Sequence, residues 1–289
     1  MAVLKLTGNA GLLRYIDDPD SNGRSSLHWA VRNGHVAIMN LLIQAGADPR
    51  KPDRDGWTCM HYACRYRRPD CVKILLASKH GSVLVSAKEA LGATPLHVCS
   101  ASGVTDCAIL VATSKKAPDL DAKNIWGQTP LMLAAALGGK GVPMMEMLLT
   151  AGADPKVRDF EGSSAFHYAA SSGAAYGLER LLKGAYHTSH APPGGRKEPS
   201  VVVQSVHNKY GDSAYNEAEA RGWVEARDYL AKHKDTYDIN DDLEEDSDDT
   251  DSDDEQDKDV YGEGCGQRIQ PTPKRIQVEA AKQEVAVAV

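Results

Sequence analysis

The chain has 289 residues, with 33 Lys+Arg against 40 Asp+Glu and a net charge of −7. Aromatics are 6% of it, and no apolar run approaches the roughly 18 residues of a membrane helix. Together these disfavour an aromatic-rich β-sandwich and an integral membrane protein, and point to close-packed helices. Six cysteines are too sparse for a disulfide scaffold. The N-terminus lacks the cationic start and long apolar stretch of a secretory signal, so a cytoplasmic and/or nuclear location is expected. The charge is unevenly placed. Residues 235–259 hold 15 acidic residues and one Lys, a local charge of −14, whereas the body up to Lys234 carries +6.

Along the chain, residues 8–16 first offer a short apolar pattern that reads as the second helix of a degenerate unit. A motif then repeats. Gly23-Arg-Ser-Ser-Leu27-His28-Trp-Ala30 recurs 33 residues later as Gly56-Trp-Thr-Cys-Met60-His61-Tyr-Ala63. Further copies start at Gly92 (Thr94-Pro95-Leu96-His97), Gly127 (Thr129-Pro130-Leu131) and Gly162 (Phe166-His167), with a weaker one at Gly211. Most copies are followed by a second apolar block such as Leu41-Leu42-Ile43 or Met147-Leu148-Leu149. Each unit has a Thr or Ser that can cap a helix, in two copies a Pro suited to its first position, and an apolar residue that starts a buried face. Small Ala residues sit where two helices must approach closely. Gly34, Gly103, Gly138, Gly173 and Gly222 stand where a left-handed helix end is needed. One unit cannot bury its own apolar face, so the units must stack.

This pattern resembles the ankyrin repeat, over about residues 23–234. The resemblance implies an all-α fold: an α-solenoid of helix-turn-helix repeats with short hairpin-like loops, followed by a disordered acidic tail. The expected division is a capping helix or degenerate repeat in 1–20, then a repeat domain in 21–234. Its repeats are expected at 21–53, 54–89, 90–124, 125–159 and 160–208, the last with a long loop at 186–208, before a C-terminal cap at 209–234. The tail is 235–289. Several departures from the pattern stand out. Arg67-Arg68 replaces the usual inter-helix Gly-His, which implies a strained or loosened turn. Gly138–Gly141 carries about two extra residues. Glu217 and Glu219 occupy normally apolar or small positions, as the polar outer face of a cap requires.

Chemistry finds little footing in the sequence. His28, His61, His97 and His167 share one phase of the repeat, about 10 Å apart per unit, too far to share a metal. They are expected to bond locally to their own turns. Cys59, Cys64, Cys71, Cys99 and Cys107 lack zinc-site spacing and fall on small core positions, with thiol sensing and metal binding as lesser alternatives. Cys265 is the cysteine expected to be accessible. Gly138-Gly-Lys-Gly141 lacks the spacing of a phosphate loop. No enzyme activity and no cofactor are expected.

The family resemblance implies a non-catalytic scaffold or adaptor that binds another protein with its loop tips and first-helix surface. Carried over position by position, the partner-binding candidates are Arg24, Arg32, Arg54, Trp57, Arg65, Tyr66, Trp126, Phe160 and Tyr210, with Gln128 among the further tip residues. Trp, Tyr and Arg are the types that dominate interface hot spots. The alternatives are that the aromatics pack between neighbouring loops and that the arginines are solvated. The tail lacks the apolar content to offset its ordering entropy. It could solubilise the chain, hold a basic nuclear or ribosomal protein as an acidic chaperone does, or fold back on the arginines. Thr250 and Ser252 precede carboxylates and Thr272 precedes Pro273, so these three are candidate phosphorylation sites. A regulatory subunit of an enzyme complex is a further alternative. A monomer that binds neither nucleic acid nor membrane is expected, since the tail would repel phosphates.

Overall fold

Helix pairs follow one another along the chain, each announced by the residues of the repeated motif. In the computed structural model residues 15–116, 118–187 and 207–232 are described. The residue 1–14 part of the lead-in, most of the 186–208 loop, the tail, Cys265 and the three candidate phosphorylation sites lie outside the described residues. The first helices of successive units are α1 (Ser26–Asn33), α3 (Cys59–Arg65), α6 (Pro95–Ser102), α8 (Pro130–Ala136), α10 (Ala165–Ser171) and α12 (Ala214–Ala220). The second helices are α2 (Val36–Gln44), α4 (Pro69–Ala77), α7 (Thr105–Ala112), α9 (Val142–Ala151), α11 (Ala175–His187) and α13 (Val224–Lys232). A short α5 (Gly81–Val85) is additional to the expected pairs; it buries Leu84 and Val85 against α4. The extra residues at Gly138–Gly141 form a turn of 3-10 helix between α8 and α9.

The stacking order follows the sequence. The first helices pack in the series α1, α3, α6, α8, α10, α12, and the second helices pack in the parallel series α2, α4, α7, α9, α11, α13. Leu27, Met60, Leu96, Leu131 and Phe166, one from each first helix, are all buried in the shared core. So are Met39, Leu75, Val111, Leu148 and Leu182 from the second helices. Burying one such side chain is worth about 1.5–3 kcal/mol, and a unit gains it only with its neighbours in place. The five cysteines Cys59, Cys64, Cys71, Cys99 and Cys107 fill small spaces in this core as free thiols. Burial pushes the thiols of Cys59, Cys71 and Cys99 up, and that of Cys107 up to about 12.

Between helix pairs the chain makes narrow fingers, and the fingers are locked together by backbone. A carboxylate or amide at the base of each organises the turn. Asp53 Oδ1 accepts from the amides of Asp55 and Trp57, Asn124 Oδ1 from those of Trp126 and Gln128, and Asp159 Oδ1 from those of Glu161 and Ser163. Each fingertip then donates one amide to the tip before it. Arg54 N reaches Asn22 O at 3.1 Å, Ala90 N reaches Asp55 O at 2.9 Å, and Ile125 N reaches Leu91 O at 3.0 Å. Phe160 N reaches Trp126 O at 3.1 Å and Lys209 N reaches Glu161 O at 2.8 Å.

The histidines correct one sequence expectation: they bond across units as well as locally. In each case the amide of the capping Ser or Thr donates to Nδ1, at 3.0 Å for Ser25–His28 and 3.1 Å for Thr94–His97. This arrangement is a capping box with His in place of Glu or Gln. An Nδ1 that accepts leaves the proton on Nε2. Nε2–H then donates to the next unit: His28 to Trp57 O, His61 to Ala93 O, His97 to Gln128 O and His167 to Asp212 O, at 3.0–3.2 Å. Burial lowers His61 and His97 to about 4, so the ladder is built from neutral rings. The fourth unit has Met132, whose sulfur accepts from Thr129 N but has no proton to pass on.

Two polar positions differ from expectation. Glu217 is buried, held near Arg221 at 3.8 Å, and only Glu219 of the pair is on the outside. The Glu217 position follows the motif's His position, which holds Trp29, Tyr62 and Tyr168 in three other units and Val98 and Leu133 in two. Gln128, expected at a fingertip surface, is also buried. Its amide bridges Asn124 and the hydroxyl of Tyr168.

Candidate partner-binding face

The first-helix face of units one and two gathers aromatic rings and guanidinium groups. Trp29 and Arg32 are three residues apart on α1 and therefore share a face. Tyr62 and Tyr66, four apart at α3, stack with centroids 6.1 Å apart and planes 8° from parallel. The guanidinium carbon of Arg32 lies 4.9 Å from the Trp29 ring and 4.9 Å from the Tyr66 ring, joining the two units. Arg24 covers Trp29 as well, at 4.6 Å. Its Nε pairs with Asp20 Oδ2 at 3.2 Å, and the Trp29 indole N–H donates to the same oxygen at 3.1 Å. The amide of Arg24, with those other donors, holds the Asp20 carboxyl down at about 2. Trp29 and Tyr66 remain 38% and 37% exposed, so the strip is fixed from behind and open in front.

Beneath it, Tyr62 is buried, and its hydroxyl donates to Asp53 Oδ2 at 2.6 Å. Burial and the Asp53 charge push that phenol up, which keeps it a donor. Trp57 is half-buried, edge-on to Tyr62 at 5.6 Å and tilted on His61 at 5.9 Å. Arg65 is also half-buried and reaches the third unit through Nη1 to Ser102 Oγ at 3.1 Å. Arg54 is exposed on its fingertip.

The remaining candidates lie further along the fingertips. Phe160 and Tyr210 are 56% and 50% exposed, while Trp126 is half-buried. The amide of Phe160 is bound to Trp126 O, Lys123 sits 6.0 Å from the Phe160 ring, and the Tyr210 hydroxyl donates to Glu161 Oε1 at 3.3 Å. Arg24, Arg32, Trp57 and Tyr66 therefore come together, with Arg65 and Arg54 at the margins. Trp126, Phe160 and Tyr210 belong to other fingers. Trp29 and Tyr62, which the sequence reading left out, are central to the cluster. The signal for them was available: Trp29–Arg32 and Tyr62–Tyr66 are pairs at helical spacing directly after the motif histidines. No group of three or more His, Cys, Asp or Glu side chains suited to a metal occurs among the described residues. Nor is any helix among the described residues long and apolar enough to cross a membrane.

Comparison with known proteins agrees with this architecture. Family models described as "Ankyrin repeats (3 copies)" match residues 3–87 and 27–124, and one described as "Ankyrin repeats (many copies)" matches residues 114–186. The B-cell lymphoma 3 protein homolog of Mus musculus is 34% identical over 162 residues, which is 55% of this chain and 35% of that protein. Neurogenic locus notch homolog protein 1 of Xenopus laevis is 36% identical over 146 residues, 50% of this chain and 6% of that one. The chain thus aligns with about a third or less of these relatives. The crystal structure of the ankyrin repeat domain of Bcl-3, titled a unique member of the IkappaB protein family, matches with a TM-score of 0.57 and 28% identity. That match covers 75% of this chain and 86% of the other. Helix pairs, locked fingers and matched motifs agree: the chain belongs to the ankyrin-repeat family.

Proposed function

We propose that the chain is a non-catalytic scaffold or adaptor that binds a protein partner on its first-helix face and fingertips, acting as a monomer in the cytoplasm and/or nucleus. Ankyrin repeats as a family mediate protein–protein interaction. The observation that carries the reading here is the Trp29–Arg32–Tyr66 strip, open to solvent yet fixed by the groups behind it. Rigid aromatic and arginine side chains lose little entropy on binding and are the types that anchor interfaces. Arg24, Arg54, Trp57, Arg65, Trp126, Phe160 and Tyr210 extend the proposed surface. The residue types that carry chemistry are committed to the fold: the histidines link units and the described thiols fill the core.

A regulatory role toward the bound partner is a second reading, favoured by the likeness to a Bcl-3 domain titled as an IkappaB family member. The acidic segment 235–259 supports a third, capture of a basic protein. Affinity purification with the full chain separates these. The scaffold reading expects partners to be lost with Trp29→Ala plus Tyr66→Ala and kept when the acidic residues of 235–259 are changed to amides. Partners that ignore the face and vanish with the tail charge would replace it with the chaperone reading.

A further inference from the structure

The strip has more cations than carboxylates to balance them. Arg24 is paired with Asp20. Asp53 is buried, with one oxygen on the Tyr62 hydroxyl and the other on the amides of Asp55 and Trp57, so it is not placed to neutralise the surface. Arg32, Arg54 and Arg67 form no ion pair with any described residue. These three bracket one continuous path. The Arg54 side chain lies against the Gly23 turn, where its Cγ would be 3.2 Å from an added Cβ. Arg24 follows, covering Trp29, then Arg32 between Trp29 and Tyr66, then Arg67, which adjoins Tyr66 and is exposed.

Arg32 is unusual in how it is held. Aromatic rings flank its flat guanidinium on two units. Contact of that kind strips water from the faces of the group and leaves its N–H edge as the route to a ligand. That edge is a fork matched to a carboxylate, and its conformational cost is already met before anything binds. The backbone that carries Arg67 is anchored: it adopts φ 53°, and the next residue, Arg68, is tied by Nε to Arg32 O at 3.0 Å.

Resting on the binding face proposed above, we infer that units one and two dock an extended acidic segment of a partner protein. Arg32 takes one carboxylate edge-on, Arg54 and Arg67 take carboxylates on either side, and Trp29 and Tyr66 contact an apolar side chain between them. The charge argument selects this occupant: three guanidinium groups without an ion pair among the described residues, the middle one held between rings, line an aromatic strip and suit several negative charges spread along a chain. A nucleic acid strand carries such charge as well, but the −14 of residues 235–259 opposes a long polyanion more than a short acidic peptide.

The test is fluorescence anisotropy with the full chain and a labelled synthetic 15-mer built from repeats of Glu-Asp-Leu-Glu, at low and moderate salt. The control is the same peptide with Gln and Asn for Glu and Asp. The expected result is saturable binding to the acidic peptide, weakened about tenfold by the amide version and by Arg32→Ala. Arg54→Ala, Arg67→Ala and Tyr66→Ala each weaken it about threefold, and Phe160→Ala leaves it unchanged. Far-UV dichroism and melting of Arg32→Ala check that the fold persists without the ring contacts, since the Arg32 carbonyl that Arg68 holds is retained. Equal binding of the amide peptide, or no effect of Arg32→Ala, overturns the inference. So does a 15-mer single-stranded DNA that binds more tightly at the same salt. If changing the 15 acidic residues of 235–259 to amides tightens the acidic peptide at least tenfold, the chain's own tail is the occupant and the assignment to a partner is overturned. Partner capture that depends on Trp29 and Tyr66 while the acidic peptide fails to bind removes the acidic preference and leaves the binding face standing.

Discussion

The side chain of Arg68 lies across Gly34 of the preceding unit and donates from Nε to the carbonyl of Arg32 at 3.0 Å. Trp223 repeats the arrangement at the other end, with its indole over Gly173 and its Nε1 donating to Ser171 O at 3.0 Å. In both places a long side chain at the inter-helix turn seals the turn of the unit before it. Gly34 and Gly173 adopt φ 75° and 73°, and a Cβ would sit 2.9 Å from Arg68 Cδ and 2.6 Å from Trp223 Cδ2. A flexible arginine yields readily, whereas the rigid indole, tied by Nε1 to Ser171 O, must break that bond to move. We expect Gly34→Ala to cost about 1–2 kcal/mol and Gly173→Ala about 2–3 kcal/mol. Gly46→Ala, at φ 102° with open space around it, should cost only the backbone strain. Chemical denaturation of the three variants checks the order.

The buried histidines make stability depend on pH in a definite direction. Burial depresses the folded pKa of His28, and takes those of His61 and His97 to about 4, so the unfolded chain binds more protons once pH falls below about 6.5. Stability is therefore complete above that value and is lost as pH falls toward 4. By linkage His61 and His97 each contribute a loss of about 2 kcal/mol between pH 7 and 5. Urea unfolding across that range should show it. His97→Met, copying the residue of unit four, should lower stability at pH 7 and flatten the slope.

Unit four offers the converse experiment. The carbonyl that a histidine at 132 would meet is that of Ser163, which already accepts from Asp159 N but has a second lone pair. Met132→His should add one hydrogen bond between units four and five and raise stability by about 0.5–1 kcal/mol. An unchanged or lowered denaturation midpoint at pH 7 would show that the thioether's packing outweighs the bond.

Arg67 carries φ 53° at a turn where other units have glycine. A non-glycine residue there costs about 1–2 kcal/mol, partly offset in glycine by the greater freedom of the unfolded chain. Arg67→Gly should stabilise the fold by about 0.5–1 kcal/mol while weakening acidic-peptide binding. Opposite signs in the two measurements would identify strain kept for the sake of a surface charge.

Cys59, Cys64, Cys71, Cys99 and Cys107 are buried, and burial raises four of these thiols and so suppresses thiolate. Alkylation of the native chain followed by peptide mapping should leave all five unlabelled until denaturant is added. Rapid native labelling of Cys71 or Cys107 would mean that the second-helix layer opens.

The repeat itself was determined by sequence alone. Capping Ser or Thr, the apolar residue two places on, small Ala and the glycine after the first helix act within one unit, where spacing along the chain is spacing in space. That locality also marked Arg67-Arg68 as a strained turn and Pro95 and Pro130 as first residues of helices. Only tertiary structure decided what lies between units. It carried histidine Nε2 across to a neighbour's carbonyl, buried Gln128 and Glu217, and set Arg32 between rings from two helices. The physical reason is that the contacts that cross units, such as His61 Nε2 with Ala93 O and Arg32 with the Tyr66 ring, join residues more than 30 positions apart. Their geometry depends on how one unit rests on the next, which no single copy of the motif contains.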